Sequence, residues 1–127
     1  MYEQDYVMRQ IKDLVKAIAK IFFNVDVESS AMEVIRDMQA KEKATELLRQ
    51  CDDKNICYAE GELFDLIKNN TMDNLLVGIT FYSYLNDMDD EQLAESDFGR
   101  DKIQDGITKL LSAYGLENMA NLFFYET

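Results

Sequence analysis

The sequence of 127 residues has no histidine, no proline and no tryptophan, and only five glycines and two cysteines. Each absence excludes something. Without imidazole the chain lacks the commonest zinc and haem ligand and the usual base of serine and cysteine hydrolases. It also lacks the Glu-x-x-His pairs from which helical bundles build di-iron centres. Scarce glycine and missing proline argue against collagen-like, disordered and turn-dense all-β chains. Cys51 and Cys57 lie six apart, a spacing that matches no zinc or redox motif, and read as small, buried, reduced thiols of a cytosolic protein. Long apolar runs are missing too. The longest uncharged stretch, Asn74 to Asn86, has 13 residues, whereas a membrane span needs about 20. The amino-terminal stretch carries a charge every few residues, unlike a signal peptide. The expectation is a cytoplasmic protein with no stable membrane insertion.

Basic residues are the other shortage. Thirteen Lys and Arg stand against 25 Asp and Glu, for a net charge of −12. The imbalance is local: residues 1–50 hold nine acids and eight bases, and residues 51–127 hold sixteen acids and five bases.

What is present is helical. The 47% of hydrophobic residues, with seven Phe and seven Tyr, can fill one core, and the length fits a single domain over 1–127. Val7, Ile11, Leu14, Ile18 and Phe22 recur at helical spacing, with Val15 and Ile21 at the flanks, which predicts an amphipathic helix over 3–23. A linker, 24–29, follows. Ser30 and Glu33 have capping-box spacing and open a helix with Val34, Ile35 and Met38 inward. Either that helix continues to Cys51, or a second begins near Lys41 with Ala44, Leu47, Leu48 and Cys51 inward. Asn55 can cap the next helix, which runs to about Lys68 and buries Ala59, Leu63, Leu66 and Ile67. Thr71 caps a central apolar helix through Leu85, with Leu75, Leu76, Ile79, Tyr82 and Leu85 in the core. A short acidic helix fits 91–95. Another spans 100–114, with Gly115 at its left-handed C-cap and Leu116 folding back, and a last turn or two fits 117–124. No run reads as a strand ladder.

The fold class is therefore all-α: five to seven antiparallel helices, as a helical bundle or a tetratricopeptide-like helix-hairpin stack. The hairpin over 42–68 has the Ala59-x-x-x-Leu63 spacing of such a repeat, and an ordinary bundle of antiparallel helices accounts for it equally. The repeat's Trp, Gly-Tyr and Pro and any second copy are absent.

Catalytic and ligand-binding motifs fail one by one. Asp87-x-Asp89-x-Glu91 begins like a calcium loop, but Gln92 and Phe98 occupy the positions that need glycine and glutamate. Gly61, Gly78 and Gly106 stand alone in helical patterns and form no phosphate loop; close helix approach accounts for them. No catalytic, cofactor-binding or metal-binding residue is assigned, and no cofactor is expected.

The charge pattern carries the one candidate site. Arg9, Lys12, Lys16 and Lys20 fall in a stripe opposite the apolar face of the first helix, and Phe23 is the large apolar residue expected on that polar side. Three readings apply: a solvated face with partners such as Asp5 for Arg9 and Asp13 for Lys16, a face for a protein partner or another copy, or a membrane-surface or nucleic-acid contact. The acidic remainder of the chain would repel phosphate-rich partners, so this third reading ranks last and no nucleic-acid partner is expected.

Several stretches together point to a family: Tyr2-Glu3-Gln4-Asp5-Tyr6 with Arg9 and Ile11, Ala59-Glu60, Phe81-Tyr82-Ser83-Tyr84-Leu85-Asn86, Asp97-Phe98, Asp105-Gly106 and Tyr114-Gly115-Leu116. The chain resembles, over nearly its whole length, small acidic helical proteins of Gram-positive bacteria that form a domain of unknown function. The resemblance implies a stand-alone bacterial cytoplasmic protein and brings no activity, cofactor or catalytic residue. The leading functional expectation is a non-enzymatic protein–protein interaction or scaffold module, with self-association secondary. The alternative is a small enzyme or ligand-binding protein using acids and tyrosines, with Tyr82 and Tyr84 near a pocket.

Overall fold

The computed structural model describes the backbone of residues 2–24 and 35–124 and the side chains of 6–24 and 35–124. Within them are seven helices and no strand: α1 (Tyr2–Phe23), α2 (Met38–Asp52), α3 (Ile56–Leu66), α4 (Met72–Asp87), α5 (Asp90–Glu95), α6 (Arg100–Ala113) and α7 (Glu117–Phe124). None is long and apolar enough to cross a membrane. The capping pair expected at Ser30 and Glu33 lies outside the described residues.

The uncharged run becomes the centre of the molecule because an α-helix apolar on every side has to be surrounded. Leu75, Leu76, Ile79, Tyr82 and Leu85 are all buried. The Thr71 hydroxyl caps α4 by accepting from the Asn74 N–H at 3.1 Å. Asn74 in turn donates to the Leu66 and Asn69 carbonyls, so one buried amide joins the end of α3 to the start of α4.

Hydrogen bonds fix the running directions around α4. The Asp37 N–H donates to Asp73, and the Tyr84 hydroxyl to Asp52, so α2 runs alongside α4 in the same sense. Tyr82 reaches Glu60 while Asn74 reaches Leu66, so α3 runs opposite. Gly78 meets Leu110 and Gly106 meets Tyr82, so α6 runs opposite as well. The Asn86 amide donates to the Met8 carbonyl, which sets the start of α1 against the end of α4. This is the directional pattern of two stacked hairpins, α2–α3 and α4–α6. Along the open side of the second lie α1 and α7.

Two glycines make the α4–α6 seam. A Cβ at Gly106 would fall onto the Tyr82 ring, and one at Gly78 would lie 2.7 Å from a Leu110 methyl. Close approach does not explain Gly61, which is exposed and has nothing within 4 Å of where its Cβ would stand.

Three α-helices end in the same hydrogen-bonded cap. After α6, Leu116 N–H donates to Leu111 and Gly115 N–H to Ser112, with Gly115 at φ +71° as the pattern requires. The same pair of bonds ends α2 at Lys54 (φ +66°) and α5 at Asp97 (φ +53°), where the left-handed residue carries a side chain.

Some inward faces differ from expectation. Residues 35–37 are not helical, so α2 starts at Met38. Its buried face is Ala40, Ala44, Leu47 and Cys51, which leaves Leu48 half-buried and turns Met38, expected inside, to solvent at 69% exposure. In α1 the core takes Ile11, Leu14, Val15, Ile18 and Ala19. The burial of Ala19 extends the Val15–Ala19 row to Phe23. Phe23 packs half-buried against the core instead of projecting among the polar residues, and Ile21 and Phe22 are exposed.

Candidate functional site

The basic stripe survives folding intact. Arg9, Lys12, Lys16 and Lys20 are all exposed on α1. Four cations elsewhere in the fold pair with acids: Lys43 with Glu46 and Glu62, Lys54 with Glu95, Lys68 with Asp65 and Arg100 with Asp90. Among the described residues Arg9, Lys12 and Lys16 pair with none, and Asp13 does not reach Lys16.

Beside the stripe the α1–α4 seam opens into a groove of about 290 Å³, lined by Ile11, Lys12, Val15, Lys16, Ser83, Asn86 and Asp87. Lys12 and Lys16 stand on the α1 wall, Ser83, Asn86 and Asp87 on the α4 wall. Asn86, 4% exposed, donates its Nδ2 to the Met8 carbonyl at 3.0 Å, and its Oδ1 accepts from no described residue. A smaller groove of about 180 Å³ lies between α1 and α7, where Arg9 and Asp13 stand with Tyr6 and Leu122.

A third groove, about 530 Å³, separates α3 from α6. Gly61 and Gly106 keep its walls low, Phe64 and Phe98 supply its rings, and Glu60, Asp105, Lys102 and Lys109 mix its charges. Cys57, expected to be buried, is exposed on its α3 wall, with Sγ 4.0 Å from the Ser96 carbonyl oxygen. Cys51 is buried as expected, and burial, with Asp52 nearby, pushes its thiol up to about 12.

The two tyrosines raised as pocket candidates act as ties between helices. Tyr82 is fully buried and donates to Glu60 at 2.6 Å; burial foremost, then the Glu60 carboxylate, pushes its hydroxyl far above the ordinary tyrosine range. Tyr84 donates to Asp52 at 2.7 Å, and that bond is the main reason its hydroxyl is raised to about 12. Tyr114 donates to the Thr71 carbonyl at 2.6 Å, and burial raises it likewise to about 12. A phenol that holds its proton so firmly is a donor at neutral pH and a poor base.

Sequence reasoning missed Arg100. Although cationic, it is 8% exposed, and it donates to the Asn86 and Met88 carbonyls at 2.9 and 2.6 Å while pairing with Asp90 at 3.2 Å. It thereby satisfies carbonyls at the negative end of α4. The Asp87–Glu91 segment also has a structural use: Asp89 caps α5 in a reciprocal box with Gln92. No group of three or more His, Cys, Asp or Glu side chains among the described residues is placed to hold a metal ion.

No curated protein and no solved structure matches the chain. A family model does: one described as a family of unknown function, DUF6483, matches residues 1–115, and the chain belongs to that family.

Proposed function

We propose that this chain is a non-enzymatic interaction module of the bacterial cytoplasm whose α1 face receives an acidic surface of a protein partner. The observation that carries the reading is a row of unpaired cations on one helix. On a chain with net charge −12, Arg9, Lys12 and Lys16 stand exposed along α1 and form no ion pair with an acid of the described residues. Such a face steers an oppositely charged partner and sets its register. Another copy of the chain is the weaker occupant, because two bodies of charge −12 repel at long range.

The test compares the wild type with the variant in which Arg9, Lys12, Lys16 and Lys20 all become Gln. Exposed charges contribute little to stability, so the variant should unfold at nearly the same urea concentration. Pull-down from the producing cell, read by mass spectrometry, should lose a defined acidic partner with the variant and, for the wild type, as salt is raised. Identical capture by the two proteins at low salt would reduce the stripe to a solvated face.

A further inference from the structure

The row of cations on α1 adjoins an apolar seat. At its amino-terminal end Arg9 borders the groove between α1 and α7, where Tyr6 stands on one helix, Leu122 on the other and Phe123 beside them. Tyr6 is 56% exposed and Leu122 60% exposed, so both side chains can be touched from outside. A single exposed leucine or tyrosine is commonplace. Here the two line one hollow of about 180 Å³, below the range of small-molecule sites and close to the bulk of one large side chain. The charges around it decide what can enter. Asp13 stands in this groove and has no ion pair with a base of the described residues. A partner's carboxylate placed there would be repelled, whereas an apolar side chain would meet Tyr6, Leu122 and Phe123. Lys12 and Lys16 line no part of this groove and stand exposed further along α1.

We infer that this face binds an acidic peptide segment that carries one large apolar residue. The apolar side chain seats between Tyr6 and Leu122, and the neighbouring carboxylates run onto Arg9, Lys12 and Lys16. The inference rests on the acidic-partner reading and adds what the partner must bring besides its charge. From Arg9 to Lys16 the helix axis advances about 10 Å, which two turns of a partner helix or a few extended residues can span. The two halves of the surface act differently. Burial of the apolar residue slows departure, while the exposed cations speed arrival and set the register.

The experiment titrates the whole chain into fluorescently labelled short peptides of Asp, Glu and Gly that carry one Phe, Leu or Trp at the centre or at either end. The controls are the same peptides with Ser in place of the apolar residue, and with Asn and Gln in place of the acids. At least one acidic apolar peptide should bind saturably, and each of its two controls should bind about tenfold weaker or worse. Tyr6→Ser with Leu122→Ser should bring that peptide down to the affinity of its Ser control and leave the dependence on salt unchanged. Lys12→Gln with Lys16→Gln should weaken binding and flatten the dependence on salt. All four residues are exposed, so both variants should keep the urea midpoint of the wild type. Equal affinity for the apolar peptide and its Ser control would overturn the inference and leave the acidic-partner reading standing. Equal affinity for the acidic peptide and its Asn and Gln control would sink both. Indifference to the Tyr6 and Leu122 changes, or no saturable binding by any peptide, would also overturn the inference. Dimerisation, or binding to phosphatidylglycerol vesicles, that is lost with those two changes while no peptide binds would give the seat to a second copy or to a membrane instead.

Discussion

Glycine to alanine should act with opposite signs at two positions that look alike in the sequence. Gly61 and Gly106 both sit inside α-helices, where glycine costs about 1 kcal/mol relative to alanine. At Gly61 nothing lies within 4 Å of the new methyl, so Gly61→Ala recovers that cost and should stabilise the protein by about 0.5–1 kcal/mol. At Gly106 the methyl lands on the ring and hydroxyl of Tyr82, which is fully buried and cannot swing aside into solvent. Overpacking of this kind costs about 1–3 kcal/mol. If the ring moves enough to break its bond to Glu60, a stranded hydroxyl adds about 1–3 kcal/mol more. After the helix-propensity gain of about 1 kcal/mol, Gly106→Ala should destabilise by up to about 2 kcal/mol if the bond to Glu60 holds and by about 1–5 kcal/mol if it breaks. Urea unfolding followed by circular dichroism would read both, as shifts in midpoint at an unchanged slope. The close α4–α6 approach would be refuted by a Gly106→Ala protein stabilised as much as Gly61→Ala.

Other expectations follow from the caps, the phenols and the core. Lys54→Gly and Asp97→Gly replace residues held at positive φ and should each raise stability by about 0.5–1 kcal/mol, read as a higher melting midpoint; a drop at either position would contradict the left-handed cap. Tyr84 and Tyr114 hold their protons to about 12 when folded, against about 10 in an unfolded chain. Their contribution is therefore complete below pH 10 and lost between pH 10 and about 12. The urea midpoint should fall across that window, and Tyr84→Phe with Tyr114→Phe should flatten the fall. Amides of 76–85 should be the slowest to exchange, and exchange there as fast as in α7 would remove α4 from the centre. Adding a chelator should leave the melting temperature where it was, since a drop of several degrees would reveal a bound cation.

The sequence made α4 legible because thirteen uncharged residues have only one place to go, and Thr71 and Gly115 were legible because their chemistry announces a cap. Lys54 gave no such sign and Asp97 only a weak one, since Asp tolerates a left-handed backbone better than Lys does; the hydrogen bonds around them impose it. The box at Asp89 and Gln92 was readable by its spacing, but the same acids first suggested a calcium loop. Phe23 was misplaced because a period of 3.6 fixes the centre of a buried stripe poorly over 22 residues, and neighbours on two sides of α1 widen it. For Arg100 no periodic signal exists: a buried guanidinium is specified by carbonyls at the end of another helix. The basic stripe was legible in full, whereas the groove beside it depends on which face of α4 meets α1, information that lies in neither segment alone.

Arg100 has a consequence for the order in which the molecule comes apart. One link from α4 to α2 and the link to the end of α6 pass through partly exposed phenols, Tyr84 to Asp52 and Tyr114 to Thr71, and alkali can remove the proton each one donates. The link from the end of α4 across α5 to the start of α6 passes through a guanidinium, which stays charged through any pH at which peptides survive. Raising the pH should thus loosen the protein at its phenol links and spare the guanidinium clasp. It loosens the Asp52 end of α2 and the α6–α7 corner first, and leaves residues 86–100 clasped as the last native hinge.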